Sequence, residues 1–290
     1  MSRRPTVSVI VPFAGSGDDL LRVIAELERI EVRGGDELMI ADNRSRSGSL
    51  SGAGGPVRVL AAGGIRAPGY ARNQAARVAQ GEWLVFIDAD TIPSPGLLDA
   101  YFIELPGPRT GVLAGTILDR PGGSGVAARR SAGRAQMSQQ ATLGRRGSPY
   151  AQTANCAVRS AAFEAVGGFD AEARAGEDAD LCFRLARAGW RLEARANASV
   201  EHPTRATLPA LLAQLARHGS GAAWLDRRYP GEFPPPGPRE LIGRPLRVLA
   251  GALVALARGR PAAAFDALLE LLEAWAFDLG RMLSNRPPGA

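Results

Sequence analysis

The chain has 290 residues, a formal net charge of +6, 46% hydrophobic and 22% charged residues. That balance excludes a disordered chain, a collagen, a disulfide scaffold and a polytopic membrane protein; a chain this long buries about 75% of its unfolded surface and needs no staple to fold. All 35 cations are arginine, which grips planar phosphates and carboxylates through paired hydrogen bonds, yet they are scattered and aromatics reach only 6%, so no stacking platform for nucleic acid is present.

The opening MSRRPTVSVIVPFAG has the basic-then-apolar look of a secretion signal. Its apolar run is only Val7 to Val11 before Pro12, and it reads as a buried strand. Asp18 to Ile30 carries Leu20, Leu21, Ile24, Leu27 and Ile30 at helical spacing. Glu37–Ala41 and Val57–Leu60 read as the second and third strands. Gly69–Gln80 reads as a helix stopped by Gly81, and Trp83–Ile87 as a fourth strand running into Asp88. This alternation implies a Rossmann-like, mostly parallel sheet with helices on both faces, and ligands beyond the carboxyl ends of its strands. Gly122 to Ser148, rich in Gly, Arg and Ser, reads as a mobile loop with some helix. Thr207–Leu225 is a helix candidate, and Gly231–Pro238 a stiff polyproline-like linker. Pro245–Arg258 and Pro261–Leu283 read as two helices opened by proline. The most apolar late stretch, Leu249–Ala257, is too short to span a bilayer. Cys156 and Cys182 form neither a disulfide framework nor a zinc spacing and suit a reducing, cytoplasmic compartment.

The sharpest chemistry lies in Asp88-Ala89-Asp90. Two carboxylates gathered just past a buried strand are costly without a cation, and Mg²⁺ or Mn²⁺ wants such oxygens together with phosphate and water. A solvated turn is the plain alternative. Glu177-Asp178-Ala179-Asp180 precedes a helical pattern; its acids either cap the helix dipole or supply a general base. Asp42-Asn43 follows the second strand, where an acid can hydrogen-bond a base or ribose. Arg72 in GYARN opens a helix, a place that suits a diphosphate.

Together these segments resemble family 2 glycosyltransferases with the GT-A fold. VSVIVPFAG, IADNRSRSG, GYARNQAARVAQGEWLVFIDADTIPSPGLL, TANCAVRSAAFEAVGGFD, GEDADLCFRLARAGW and VEHPTRAT follow in order over residues 5–205. The resemblance implies that Pro12, Phe13 and Ala14 line a base pocket, that Asp42 binds the base, and that Arg72 lies near the diphosphate. It implies Asp88 at the ribose and metal, Ala89 at the nucleotide, Asp90 and His202 on the metal, and Asn155, Cys156 and Trp190 about the acceptor and sugar. Asp178, with Glu177 beside it, matches the catalytic base. The implied reaction is inverting transfer of a single sugar from a UDP, GDP or dTDP donor to a hydroxyl of a glycan, lipid carrier or small metabolite, assisted by Mn²⁺ or Mg²⁺.

The chain departs from the family where Arg44, Ser45, Arg46 and Ser47 follow Asp42-Asn43, which leaves the nucleotide open. Gln214-Leu215-Ala216-Arg217-His218 matches the processive Q-x-x-R-W motif except at His218. A division is expected near residue 206, with a catalytic part before it and a helical extension, containing the linker at 230–238, after it. The extension suits packing on the catalytic part, a homodimer contact or an inner membrane face. Two rivals stand beside this reading. One is a haloacid-dehalogenase-like phosphatase using Asp88 in LVFIDADTI, though the lysine such enzymes use is absent. The other is a nucleotide-sugar-binding protein without turnover.

Overall fold

A computed structural model describes residues 4–44, 55–120, 122–123 and 138–287. Ser45, Arg46 and Ser47, and most of the Gly122–Ser148 stretch, lie outside the described residues. The elements in order are β1 (Val7–Phe13), α1 (Gly17–Leu27), β2 (Glu37–Asp42), β3 (Val57–Ala61), α2 (Pro68–Ala76), β4 (Trp83–Ile87), β5 (Ile92–Pro93), α3 (Leu97–Tyr101) and β6 (Thr110–Arg120). They continue with α4 (Gln139–Leu143), β7 (Asn155–Arg159), α5 (Ser160–Ala165), α6 (Glu177–Arg187), β8 (Arg191–Pro203), α7 (Leu208–Arg228), α8 (Pro238–Ala257) and α9 (Pro261–Gly280).

The strands form one sheet in the order β3-β2-β1-β4-β7-β6-β8-β5. β1 to β4 are parallel, β7 runs against β4 and β6, and β8 is parallel to β6. Period-two alternation splits the central strands between two cores. Val9, Val11, Val85 and Ile87 face α1 and α3, while Ile10, Leu84 and Phe86 face α2, α5 and α6. A continuous apolar run such as VSVIV or WLVFI is what a strand covered on both faces requires.

Register then assembles one end of the sheet. The carboxyl end of β1 lies beside that of β2, with Phe13 opposite Asp42, and Ile87 of β4 lies opposite Asn155. β5 pairs Ile92 with Glu201 of β8. That short pairing folds the turn after β4 against the end of β8, so Asp88 and Asp90 reach His202.

The extension differs from the sequence reading at two points. The first of its two late helices begins at Pro238 and carries Pro245 in its interior, where the sequence placed its start. Proline there removes one N–H, and the carbonyl it leaves belongs to Leu241, which lies on an exposed turn of the helix. The proline-rich segment is also no free spacer at its start. Glu232 accepts from Arg145 Nη1 at 2.7 Å and from the Ser148 hydroxyl at 2.6 Å, and the Arg145 guanidinium lies 4.2 Å from the Phe233 ring centre.

α7 packs on α6, and α9 crosses α7 at nearly backbone contact. A Cβ on Gly219 would meet the Phe277 carbonyl, and one on Gly280 would come within 2.1 Å of the Ala216 carbonyl. Helix propensity favours alanine over glycine by about 1 kcal/mol. Gly280→Ala is nonetheless expected to destabilise by about 1–3 kcal/mol, the range for overpacking; urea titration with stability equal to or above wild type would show the crossing to be loose.

Candidate active site

Arg72 projects from α2 into the protein, 2% exposed. Its Nη2 donates to Asp88 Oδ1 at 2.7 Å and its Nη1 to Glu177 Oε1 at 3.0 Å. An arginine keeps its charge at any ordinary pH, so burial demands these acids. It joins the end of β4 to the first turn of α6.

That pairing sorts the acids of α6. Glu177 is taken by Arg72. Asp180, fully buried, accepts from the Tyr229 hydroxyl at 2.6 Å and pairs with Arg184 and with Arg228 of α7. Asp178 alone of the three has no cationic partner among the described residues; its Oδ1 accepts only its neighbour's backbone N–H, from Ala179 at 2.8 Å. Removal from water pushes its carboxyl up, the Glu177 charge beside it adds to this, and its pKa rises to about 7. Gly176, at φ +83°, turns the chain into α6, and a Cβ there would strike Leu225.

Asp178 opens onto a cavity of about 370 Å³ bordered by Asp88, Arg174, His202, Arg217 and His218. Three cations crowd its α7 side. Arg217 is pushed below its ordinary value by burial and then by the charges of Arg205 and Arg174. Burial, then Arg217 and Arg205, hold the His218 imidazole down to about 4, so it is neutral at pH 7. Arg217 and Arg174 have no ion-pair partner among the described residues. The motif Gln214 to His218 thus faces Asp178 across the cavity.

A second groove, about 1040 Å³, is lined by Pro12, Phe13, Ala14, Arg66, Asp88 and Ala89, with Arg205 and Arg217 at its junction with the first. Asp90 also lines this groove. Its Oδ1 lies 3.4 Å from His202 Nε2 and its Oδ2 3.4 Å from Arg205. Donor atoms of Asp88, Asp90 and His202 all lie within 4.8 Å of one another. The buried Nδ1 of His202 has no hydrogen-bond partner. Two carboxylates and an imidazole within that span fit a divalent cation that keeps further positions for water or phosphate.

Some expected residues lie elsewhere. The Asp42 carboxylate does not reach the groove: Arg44 holds it through Nε at 3.0 Å and Nη2 at 3.1 Å. Burial pushes that carboxyl up, and the Arg44 hydrogen bonds outweigh this to hold it below its ordinary value. Arg44 in turn lies 4.8 Å from the Phe13 ring centre, so the groove is bordered by a guanidinium where an acid was expected. Asn155 is spent on structure: it accepts from the Tyr101 hydroxyl at 2.7 Å and donates to Thr116 and Ala198 carbonyls. Cys156 is buried in the core behind it. Trp190 sits just before β8, against Gly111 at the start of β6, the far end of the strand from His202. Packing claims all three. Sequence reasoning passed over Arg174, Arg205 and Arg66; lone arginines in an arginine-rich chain carry no local signal.

The elevated Asp178 carboxyl makes a stability prediction. A group raised in the folded state contributes its full stability below its unfolded value near 4 and loses it as pH rises through about 7. In chelator, Asp178→Asn should therefore gain stability relative to wild type on going from pH 5 to pH 8, by about 2–3 kcal/mol. Parallel denaturation curves at the two pH values check it, and an equal difference at both would place the carboxyl near its ordinary value.

The sequence matches the family described as "Glycosyltransferase like family 2" over residues 5–221. Pre-mycofactocin glycosyltransferases of Mycobacterium tuberculosis strains CDC 1551 / Oshkosh and H37Rv are each 30% identical to it over 241 residues, 79% of this chain and 49% of theirs. The chain therefore spans about half the length of these curated relatives. Mannosyltransferase PcManGT from Pyrobaculum calidifontis, solved in complex with GDP-Man and Mn²⁺, superimposes with a TM-score of 0.58 at 19% identity, over 97% of this chain and 74% of that one. GalNAc-T7 with UDP, GalNAc and Mn²⁺ gives 0.51 at 16%, over 69% of this chain and 43% of that one. At such identities these two likenesses speak for the fold; the family match over residues 5–221 is what stands against the phosphatase reading of LVFIDADTI. With a family match running from before β1 into α7, the chain has the GT-A fold and belongs to glycosyltransferase family 2.

Proposed function

We propose that the protein is an inverting glycosyltransferase that moves one sugar from a nucleoside-diphosphate sugar to an acceptor hydroxyl, with Asp178 as general base. The observation that carries this is the one acid of α6 left without a cation, facing a cavity that meets the Phe13 groove at Asp88. The groove takes the nucleoside between Phe13 and Arg66, and the diphosphate lies toward Arg205 and Arg217. Asp88, Asp90 and His202 would hold Mn²⁺ or Mg²⁺, which supplies Lewis-acid neutralisation of the departing diphosphate when bound. PcManGT, whose structure contains GDP-Man and Mn²⁺, and GalNAc-T7, whose structure contains UDP and Mn²⁺, support this donor class.

The acceptor occupies the smaller cavity. Asp178 takes the proton of its hydroxyl as that oxygen attacks the anomeric carbon opposite the diphosphate. One carbon–oxygen bond forms while the bond to the diphosphate breaks, so configuration inverts without a covalent enzyme intermediate. Arg205 and Arg217 stabilise the charge gathering on the leaving group. Neutral His218 stands where processive relatives carry tryptophan, and single transfer is the reading adopted.

Two measurements test this. Asp178→Asn should lower turnover by about 10²–10⁴-fold while nucleotide affinity holds; near wild-type turnover would remove the base assignment. Asp90→Ala should abolish the difference in UDP or GDP affinity between Mn²⁺ and EDTA, and calorimetry showing that difference intact would remove Asp90 from the metal.

A further inference from the structure

We propose that the acceptor carries an oxyanion, a phosphate or a carboxylate, and that Arg174 seats it in the smaller cavity. The inference rests on the reading of that cavity as the acceptor site. Of the arginines that border it, Arg72 holds Asp88 and Glu177, and Arg205 meets Asp90. Arg174 and Arg217 remain. Among the described residues the Arg174 side chain has neither a hydrogen bond nor an ion pair. Its backbone is nonetheless fixed. The Arg174 N–H donates to the Asn285 carbonyl at 2.9 Å, and Asn285 Nδ2 donates to the following carbonyl, that of Ala175, at 2.9 Å. A held backbone that carries an uncommitted guanidinium is the arrangement of a site made ready for a ligand.

The charge of Arg174 opposes that of Arg217, and neither forms an ion pair with Asp178. Guanidiniums keep their protons, so two held near each other call for an anion. The donor does not bring one to Arg174. Arg205 and Arg217 border the groove of the donor, where the diphosphate is placed, whereas Arg174 borders the smaller cavity and not that groove. An anion that reaches Arg174 therefore enters with the acceptor. The acceptor is then held at two points, its hydroxyl at Asp178 and its oxyanion at Arg174. A guanidinium grips phosphate and carboxylate alike through paired hydrogen bonds. Tyr150, Leu225, Phe233 and Phe277 border the same cavity and suit an apolar or aromatic body on that acceptor.

The test is calorimetry with phenyl phosphate, benzoate and phenol on the full chain, saturated with Mn²⁺ and UDP or GDP so that the donor groove is filled. Phenyl phosphate or benzoate should bind, showing which oxyanion the seat takes, and phenol should not. Arg174→Gln should weaken that binding by about 10–100-fold, the loss of one charge-assisted hydrogen bond. Its nucleotide affinity should hold, and its melting temperature should stay level or rise, because the side chain has no partner to lose. Binding of neither oxyanion would overturn the proposal, as would binding that Arg174→Gln leaves intact or that the nucleotide abolishes. A loss of binding together with a lower melting temperature would make Arg174 a structural residue and overturn it too. The donor reading fails separately. If neither nucleotide binds with Mn²⁺, that reading falls, and the same comparison of Arg174→Gln with wild type on nucleotide-free protein still decides the oxyanion seat.

Discussion

A buried guanidinium organises this protein. Arg72 cannot be hydrated, cannot lose its proton, and has Asp88 and Glu177 within reach. Removing one partner of such a buried arrangement costs about 3–5 kcal/mol, because a charge is left in a poor dielectric. The consequence is geometric as well as energetic. One oxygen of Asp88 is fixed, which orients the carboxylate pair at the end of β4. Glu177 is consumed, which leaves Asp178 as the acid of this turn without an ion-pair partner among the described residues. A strand end and a helix start from distant parts of the sequence are thereby held as one site.

Around that centre, charge is segregated. Asp88, Glu177 and Asp178 lie toward β4 and α6, Arg174, Arg205 and Arg217 gather toward α7, and Asp90 meets Arg205 where the two groups approach. One member of each group is strained in the free protein, and in opposite directions: the Asp178 carboxyl is pushed toward its protonated form and the Arg217 guanidinium away from its charged form. Each cluster would relax on meeting the opposite charge. A ligand presenting a cation on one side and phosphate on the other satisfies both, whereas neither charge alone does. Residues perturbed in this manner cluster at functional sites because function requires the charge that stability alone would remove.

Much of this was legible in the sequence, for identifiable reasons. β1, β2, β3 and β4 announce themselves as short apolar runs, and Trp83–Ile87 matches residue for residue. The Asp88–Asp90 pair and the acids of α6 are local patterns that follow such elements directly. What the sequence hid depends on partners distant along the chain. The local spacing of Asp42 gives no hint that Arg44 will take its carboxylate, and Asn155 is claimed by Tyr101, fifty-four positions away. The resemblance put Trp190 about the acceptor and sugar, but β8 carries the chain the length of the sheet before reaching His202. Pro245 looked like a helix start because proline is common there, yet an exposed turn tolerates it.

The expected division at residue 206 falls just before a helix on which the cavity depends. α7 supplies Gln214, Arg217 and His218 to the wall facing Asp178, and three separate devices hold it there. Arg228 and Tyr229 at its end bind Asp180, two positions beyond Asp178. Gly221 lies so close to the Ala175 carbonyl that a Cβ would come within 2.8 Å of it. Asn285, beyond α9, donates to the Ala175 carbonyl, accepts the Ser220 hydroxyl, and takes the Arg174 N–H on its own carbonyl. That single side chain and its backbone therefore join the segment entering α6, the middle of α7 and the end of the extension. The approach to Asp178 is thus set jointly by the sheet and the extension. Asn285 and the Gly219–Gly280 crossing tie the end of the extension to the segment that carries Arg174 and to the helix that carries Arg217.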